Sequence, residues 1–168
     1  PAAGTRCISI RFSAPTKSIS ASGHFAFTAL AIDKAGKIYI LHPMRVMLRG
    51  QNETEQIVGI LHDVIEDTPI TIDMLKKEGF SKDVLAALVC ITKKKGEDYG
   101  DFINRVLTNP LATQIKLYDI EDNLNRDRIP FPTERDEARF AKYQKYHEII
   151  VAKLMDYQNS GSYHINLK

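Results

Sequence analysis

The segment Ile57-Val-Gly-Ile-Leu-His-Asp-Val-Ile-Glu-Asp-Thr68 sets His62, Asp63, Glu66 and Asp67 into a wide apolar stripe of Ile57, Ile60, Leu61, Val64 and Ile65. Burying such titratable groups costs several kcal/mol unless they are paired or bound to a metal. At helical spacing His62 lies one turn from Glu66 and Asp63 one turn from Asp67, which gives two adjacent columns of ligand or acid-base groups. A lone His-Asp dipeptide is most often a surface pair, but two further segments change its weight. Tyr39-Ile-Leu-His42-Pro43 sets a second histidine at a helix start, and Ile115-Lys-Leu-Tyr-Asp119-Ile-Glu-Asp-Asn123 sets Asp119 between Leu117 and Ile120. Two His and two Asp make a mixed nitrogen and oxygen shell suited to Mn²⁺, Fe²⁺ or Zn²⁺ with positions open for water and substrate. The histidines are His24, His42, His62, His147 and His164, and none lies between Asp63 and Asp119. A second metal would lack ligands, so one is expected.

The elements that must position these groups are read as helices. From residue 24 onward apolar residues recur mostly at three and four, with a period-2 run only at Lys37 to Leu41. Pro43 suits the first turn of a helix over about His42 to Leu48. A second helix is expected over Glu53 to Glu66, almost wholly buried and stopped by Asp67-Thr68-Pro69. Thr71 and Ser81 read as caps of two further helices, the first ending at Gly79 and the second near Thr92. Lys93-Lys-Lys95 reads as a charge cluster at the C-terminal end of that helix. A helix over Asp98 to Leu107 follows, and Asn109-Pro110 opens another that reaches about Asn125. Thr133 with Asp136 three residues on opens a last one to about Tyr157. Tyr143, Tyr146 and Tyr157 on it read as packing residues, and its face leaves room for a homo-oligomer.

The 168 residues fit one domain large enough to bury roughly 70% of its unfolded surface. A net charge of +2 conceals an uneven distribution: Arg6, Arg11 and Lys17 face no acid before Asp33, and the rest carries 20 cations against 21 anions. That near-neutral body lacks the basic stripe a nucleic-acid partner requires. The longest apolar runs fall far short of a membrane span. Cys7 and Cys90 cannot form a disulfide framework and read as reduced thiols of a soluble cytoplasmic protein. Residues 1–23 read as an atypical, poorly ordered tail whose Ser-rich, acid-free composition also suits organelle targeting. The domain is expected over residues 24–158, and residues 159–168 form a second tail.

His42, then His62-Asp63, then Asp119 on an all-helical chain resembles the HD-domain metal-dependent phosphohydrolases. Five segments narrow the likeness: Gly36-x-x-Tyr39-Ile-x-His42-Pro, Leu61-His-Asp-x-x-Glu-Asp-Thr68, Gly79-Phe, Ile91-Thr-Lys and Lys116-Leu-x-Asp119-x-x-x-Asn123. Together, over about residues 34 to 155, they resemble the hydrolase domain of RelA/SpoT-type alarmone enzymes and their small single-domain relatives. The resemblance implies an all-α HD-domain helical bundle with a buried mononuclear metal site. It implies hydrolysis of the 3′-diphosphate of guanosine 3′,5′-bis(diphosphate), releasing pyrophosphate and leaving GDP or GTP. His42, His62, Asp63 and Asp119 would hold Mn²⁺, and Glu66 and Asp67 would position or deprotonate the attacking water. Asn123 would contact the nucleotide, Lys34 would lie near the base pocket, and Lys116 would meet substrate charge. For Lys37 and Arg45 a solvated face is the simpler reading.

The chain departs from the family pattern in three places: Asp33 stands where the first of two basic residues is usual, His24-Phe-Ala-Phe replaces a His-x-Gly-Gln stretch, and Asn125 replaces an arginine. These departures motivate two alternatives. One is an HD phosphohydrolase acting on another nucleotide phosphoester, such as a nucleoside monophosphate or NADPH. The other is a non-catalytic nucleotide-binding module.

Overall fold

The structure is a computed structural model that describes residues 40–129, 131–161 and 163, together with the backbone of two short strands. The chain divides into two units, Pro1–Leu41 and His42–Lys168. In the first, β1 (Ile8–Ser9) pairs antiparallel with β2 (Ala26–Phe27), Ile8 opposite Phe27. The expected boundary at residue 23/24 and the residues His24, Asp33, Lys34 and Lys37 lie outside the described residues.

Among its described residues the second unit is all-α. Its helices are α1 (Leu41–Arg49), α2 (Glu53–Leu61), α3 (Val64–Asp67), α4 (Ile72–Lys77), α5 (Lys82–Ile91), α6 (Tyr99–Val106), α7 (Pro110–Leu124) and α8 (Glu134–Asn159). Side-chain caps set most of the starts: Thr71, Ser81, Asp98 and Asn109 each accept a backbone N–H of the first turn. Pro110 follows Asn109 at the first helical position. Thr133 and Asp136 bond reciprocally as a capping box, with Asp in the place usual for Glu. Gly79 closes α4 at φ +89°, a left-handed backbone that costs glycine nothing.

The helix at the centre is α7. Ala112, Thr113, Gln114, Ile115, Leu117 and Ile120 are each at most 1% exposed. It packs most extensively on α8 and also on α5, α2 and α6. Removing a large aliphatic side chain such as Ile115 from water stabilises the fold by about 1.5–3 kcal/mol. The expectation of one almost wholly buried helix over Glu53 to Glu66 is corrected on two counts. Glu53 and Gln56 are exposed, and the helix breaks at His62-Asp63. Apolar periodicity runs straight through that break, because the residues after it resume the same stripe; the local cause lies in the His62 side chain, which bonds the carbonyl of Gly59.

α1 and α2 touch backbone to backbone at Gly59. A Cβ there would lie 2.9 Å from Met47 Cα and 3.1 Å from Met47 N, closer than real Cβ contacts come. Only glycine lets the two helices approach this far, and the approach carries His42 on α1 toward His62 at the end of α2.

Candidate metal centre

Three helices deliver the centre. His42 comes from the first turn of α1, His62 and Asp63 from the break between α2 and α3, and Asp119 from the middle of α7. His42, His62 and Asp119 are 6%, 1% and 5% exposed. One ligand atom from each lies within 4.8 Å of the other two. His42 Nε2 is 3.1 Å from Asp119 Oδ1 and 3.9 Å from Asp63 Oδ2. His62 Nε2 is 3.2 Å from Asp63 Oδ2 and 3.9 Å from Asp119 Oδ1. His42, His62 and Asp119 are therefore brought together with Asp63 beside both histidines, and atoms sharing one cation at about 2.0–2.2 Å sit roughly 3–4 Å apart.

The imidazoles are turned the same way. His42 Nδ1 donates to Asp122 Oδ2 at 2.6 Å, and His62 Nδ1 donates to the Gly59 carbonyl at 2.7 Å. With the proton on Nδ1, each presents its Nε2 lone pair to the cluster. His62 Nε2 is buried without a hydrogen-bond partner. A buried nitrogen left in that state costs about 1–3 kcal/mol, so it fits a group that accepts its lone pair. A divalent cation does this; the donor set, two imidazoles and two carboxylates, fits it as well.

The electrostatics favour positive charge at this point. Burial opposes protonation of His42, yet the Asp119 and Asp122 carboxylates outweigh it and raise the imidazole to about 9. Burial likewise opposes His62, and Asp63 prevails in raising it. For Asp119, burial works against ionisation, but Lys116 and then the histidines hold its carboxyl well below the usual carboxylate range. Lys116 Nζ donates to Asp119 Oδ2 at 2.6 Å, and its ammonium also lies 5.0 Å from the Phe102 ring. Asn123 Nδ2 donates to Asp119 Oδ1 at 2.6 Å and to the Asp119 carbonyl at 3.0 Å. Both α7 residues expected to meet substrate thus grip a candidate ligand carboxylate.

Glu66 and Asp67 follow Asp63 by three and four residues, so α3 sets them one turn beyond it. The expected column of His62 over Glu66 is replaced by a buried His62 and an exposed Glu66. Although the side chain reaches solvent, the protein around its carboxyl removes part of the hydration and raises Glu66; the amide of Lys93 opposes this, and Asp63 adds to the rise. The Lys93 amide donates to Glu66 Oε1, so the Lys93-Lys-Lys95 stretch reaches the site through its backbone. That stretch is pinned by Arg105, which bonds Glu97 and the carbonyls of Cys90 and Thr92.

Two residues have more to do than their sequence context shows. Arg45 is not a solvated face: its Nε donates to Asp122 Oδ1 at 2.6 Å. Asp122, 8% exposed, also accepts from Arg128 at 2.6 Å. The available signal was register, since Asp122 falls seven residues after Ile115 and four after Tyr118 on the inward side of α7. Tyr143 and Tyr146 pack as expected: their rings sit 6.4 and 4.9 Å from that of Tyr99.

No family model matches the chain. A guanosine-3′,5′-bis(diphosphate) 3′-pyrophosphohydrolase of Aquifex aeolicus (strain VF5) is 31% identical over 103 residues, covering 54% of this chain. The chain spans 15% of that protein's length. A solved structure, reported as a metazoan ortholog of SpoT that hydrolyzes ppGpp and plays a role in starvation responses, superposes with a TM-score of 0.56 at 22% identity. That likeness covers 79% of this chain and 86% of the other, and it shows that the two share an all-helical fold. The resemblance to RelA/SpoT-type hydrolase domains drawn from the motifs is borne out by the first of these, and the fold by the second.

Proposed function

We propose that this chain is a metal-dependent phosphohydrolase that removes the 3′-diphosphate from guanosine 3′,5′-bis(diphosphate). The observation that carries the reading is the convergence of His42, His62, Asp63 and Asp119 around an unpartnered, buried Nε2. In this reading those four residues hold one divalent ion, Mn²⁺ by the family's habit. When bound, such an ion lowers the pKa of water toward neutrality and polarises a phosphoryl oxygen.

The chain's own residues do the rest. Glu66 takes the proton of the attacking water: the Lys93 amide occupies Oε1, which leaves Oε2 as the acceptor. Its upward-shifted carboxyl is a better base than an ordinary glutamate. Asp67 beside it orients the water. The water oxygen bonds the inner phosphorus of the 3′-diphosphate, the bond from that phosphorus to the ribose 3′ oxygen breaks, and pyrophosphate leaves while the 3′ oxygen gains a proton. Lys34 and Asn123 contact the nucleotide, and Lys116 serves both Asp119 and the substrate's negative charge. The exchange of one basic residue for Asp33 favours a second reading, an HD phosphohydrolase for another nucleotide phosphoester.

Purified protein with Mn²⁺ is expected to release pyrophosphate from guanosine 3′,5′-bis(diphosphate), and Asp63→Ala is expected to lose that activity. Equal release by both proteins sinks the metal-site reading. Release of phosphate only from other members of a nucleotide panel moves the assignment to the second reading.

A further inference from the structure

Two carboxylates one turn apart on α7 take opposite nitrogens of a single imidazole. Asp119 Oδ1 lies 3.1 Å from His42 Nε2, and Asp122 Oδ2 lies 2.6 Å from His42 Nδ1. The second contact sits on the far side of the ring from the candidate ligands. Asp122 is in turn held from two directions. Arg45, three residues after His42 on α1, reaches both of its oxygens, at 2.6 and 3.1 Å. Arg128, in the short 3₁₀ turn Arg126–Arg128 that follows α7, donates to Oδ2 at 2.6 Å and to the Asp122 carbonyl at 3.0 Å. A carboxylate clamped this way has little rotational freedom, so the ring it binds has little either.

Resting on the metal reading above, we propose that Asp122 is a positioning residue: clamped by Arg45 and Arg128, it fixes His42 with Nδ1 protonated and Nε2 aimed at the metal. A carboxylate behind a ligating histidine sets the tautomer and raises the donor strength of the other nitrogen. His62 offers the internal control, because its Nδ1 rests on the neutral carbonyl of Gly59. The two histidines are therefore unequal ligands. His42 is anchored by a charged group that the sequence can change, and His62 by backbone that it cannot.

The test titrates Mn²⁺ alone, by calorimetry, into wild type, Asp122→Asn, Asp122→Glu and Arg128→Gln, each well below its own unfolding midpoint. Asp122→Asn is expected to weaken Mn²⁺ binding about 10- to 100-fold, and Asp122→Glu, which keeps the charge, to recover part of that loss. Arg128→Gln leaves the carboxylate in place but removes one side of the clamp, and about fivefold weaker binding is expected. It carries the test alone if Asp122→Asn fails to fold. A purely structural role lowers the unfolding midpoint and leaves the dissociation constant of the folded protein unchanged. Binding by Asp122→Asn, or by Arg128→Gln in its stead, within about twofold of wild type overturns the proposal while the metal reading stands. No binding by wild type overturns the metal reading and this proposal together.

Discussion

Glu55 and Asp119 are both buried carboxylates, 4% and 5% exposed, and only one of them belongs to a centre that could do chemistry. Around Glu55 both carboxylate oxygens are satisfied: Oε1 accepts from Asn52 Nδ2 at 3.1 Å and from the Tyr163 hydroxyl at 2.9 Å, and Oε2 accepts from the Gln51 amide at 2.9 Å. The result is a closed arrangement that starts α2. Around Asp119 the donors Lys116 and Asn123 lie closer still, at 2.6 Å, yet the neighbouring His62 Nε2 makes no hydrogen bond and has only the Asp63 carboxylate 3.2 Å away. Burial of charge therefore does not distinguish a site from a structural cap. The distinguishing feature is a pair of buried imidazoles, each held through Nδ1, whose Nε2 atoms face the same two carboxylates.

The sharpest way to break this contrast is to neutralise each carboxylate. Asp119→Asn is expected to lower pyrophosphate release by ~10³-fold, about 4 kcal/mol of transition-state stabilisation, in a protein that still folds. Retained activity would place Asp119 with Glu55 among structural acids. Gly59→Ala strikes the link between helices rather than a carboxylate. Its Cβ must displace Met47 backbone, so denaturant unfolding should show about 1–3 kcal/mol of lost stability. Unaltered stability would mean that α1 and α2 are not held at contact distance. Glu55→Gln should cost about 1–2 kcal/mol in the same unfolding measurement and leave the rate per folded molecule unchanged. A rate that falls with it would erase the distinction.

The smallest effect concerns a half-buried pair away from the centre that serves as baseline. Arg105, then the Lys94 amide, lower the Glu97 carboxyl below its ordinary 4.5. A depressed folded-state pKa contributes stability that is complete above the unfolded value and fades as pH falls through the folded one. The difference in thermal midpoint between wild type and Glu97→Gln should thus persist at neutral pH and shrink below pH 4.5. A difference that stays constant down to strong acid would assign the loss to something other than the carboxylate's charge.

Much of this arrangement was legible in the order of residues. Thr71, Ser81, Asn109-Pro110 and Thr133 with Asp136 announce helix starts because capping is decided within four residues of chain. His42, His62, Asp63 and Asp119 were legible as ionisable groups set among apolar ones. The break at His62-Asp63 was not, since it depends on a side chain turning back to Gly59 while the apolar period continues. Asp122 was hidden for a different reason. In Glu-Asp-Asn123 it reads as one more surface acid, and its value comes from Arg45, 77 residues away, and from His42, 80 residues away. The register of α7 turns Asp122 inward, but nothing local names partners this far along the chain.

The candidate ligands are also far apart in the chain: His62 follows His42 by 20 residues, and Asp119 follows His62 by 57. Loops of that length have to close before any two of these atoms become neighbours. A nascent chain that ends before α7 holds both histidines and Asp63 and still has no place to hold an ion. The centre therefore comes into being late in folding, as a property of completed topology, and its occupancy would report on the native state more faithfully than helix content does, since helices form from local contacts long before distant ones.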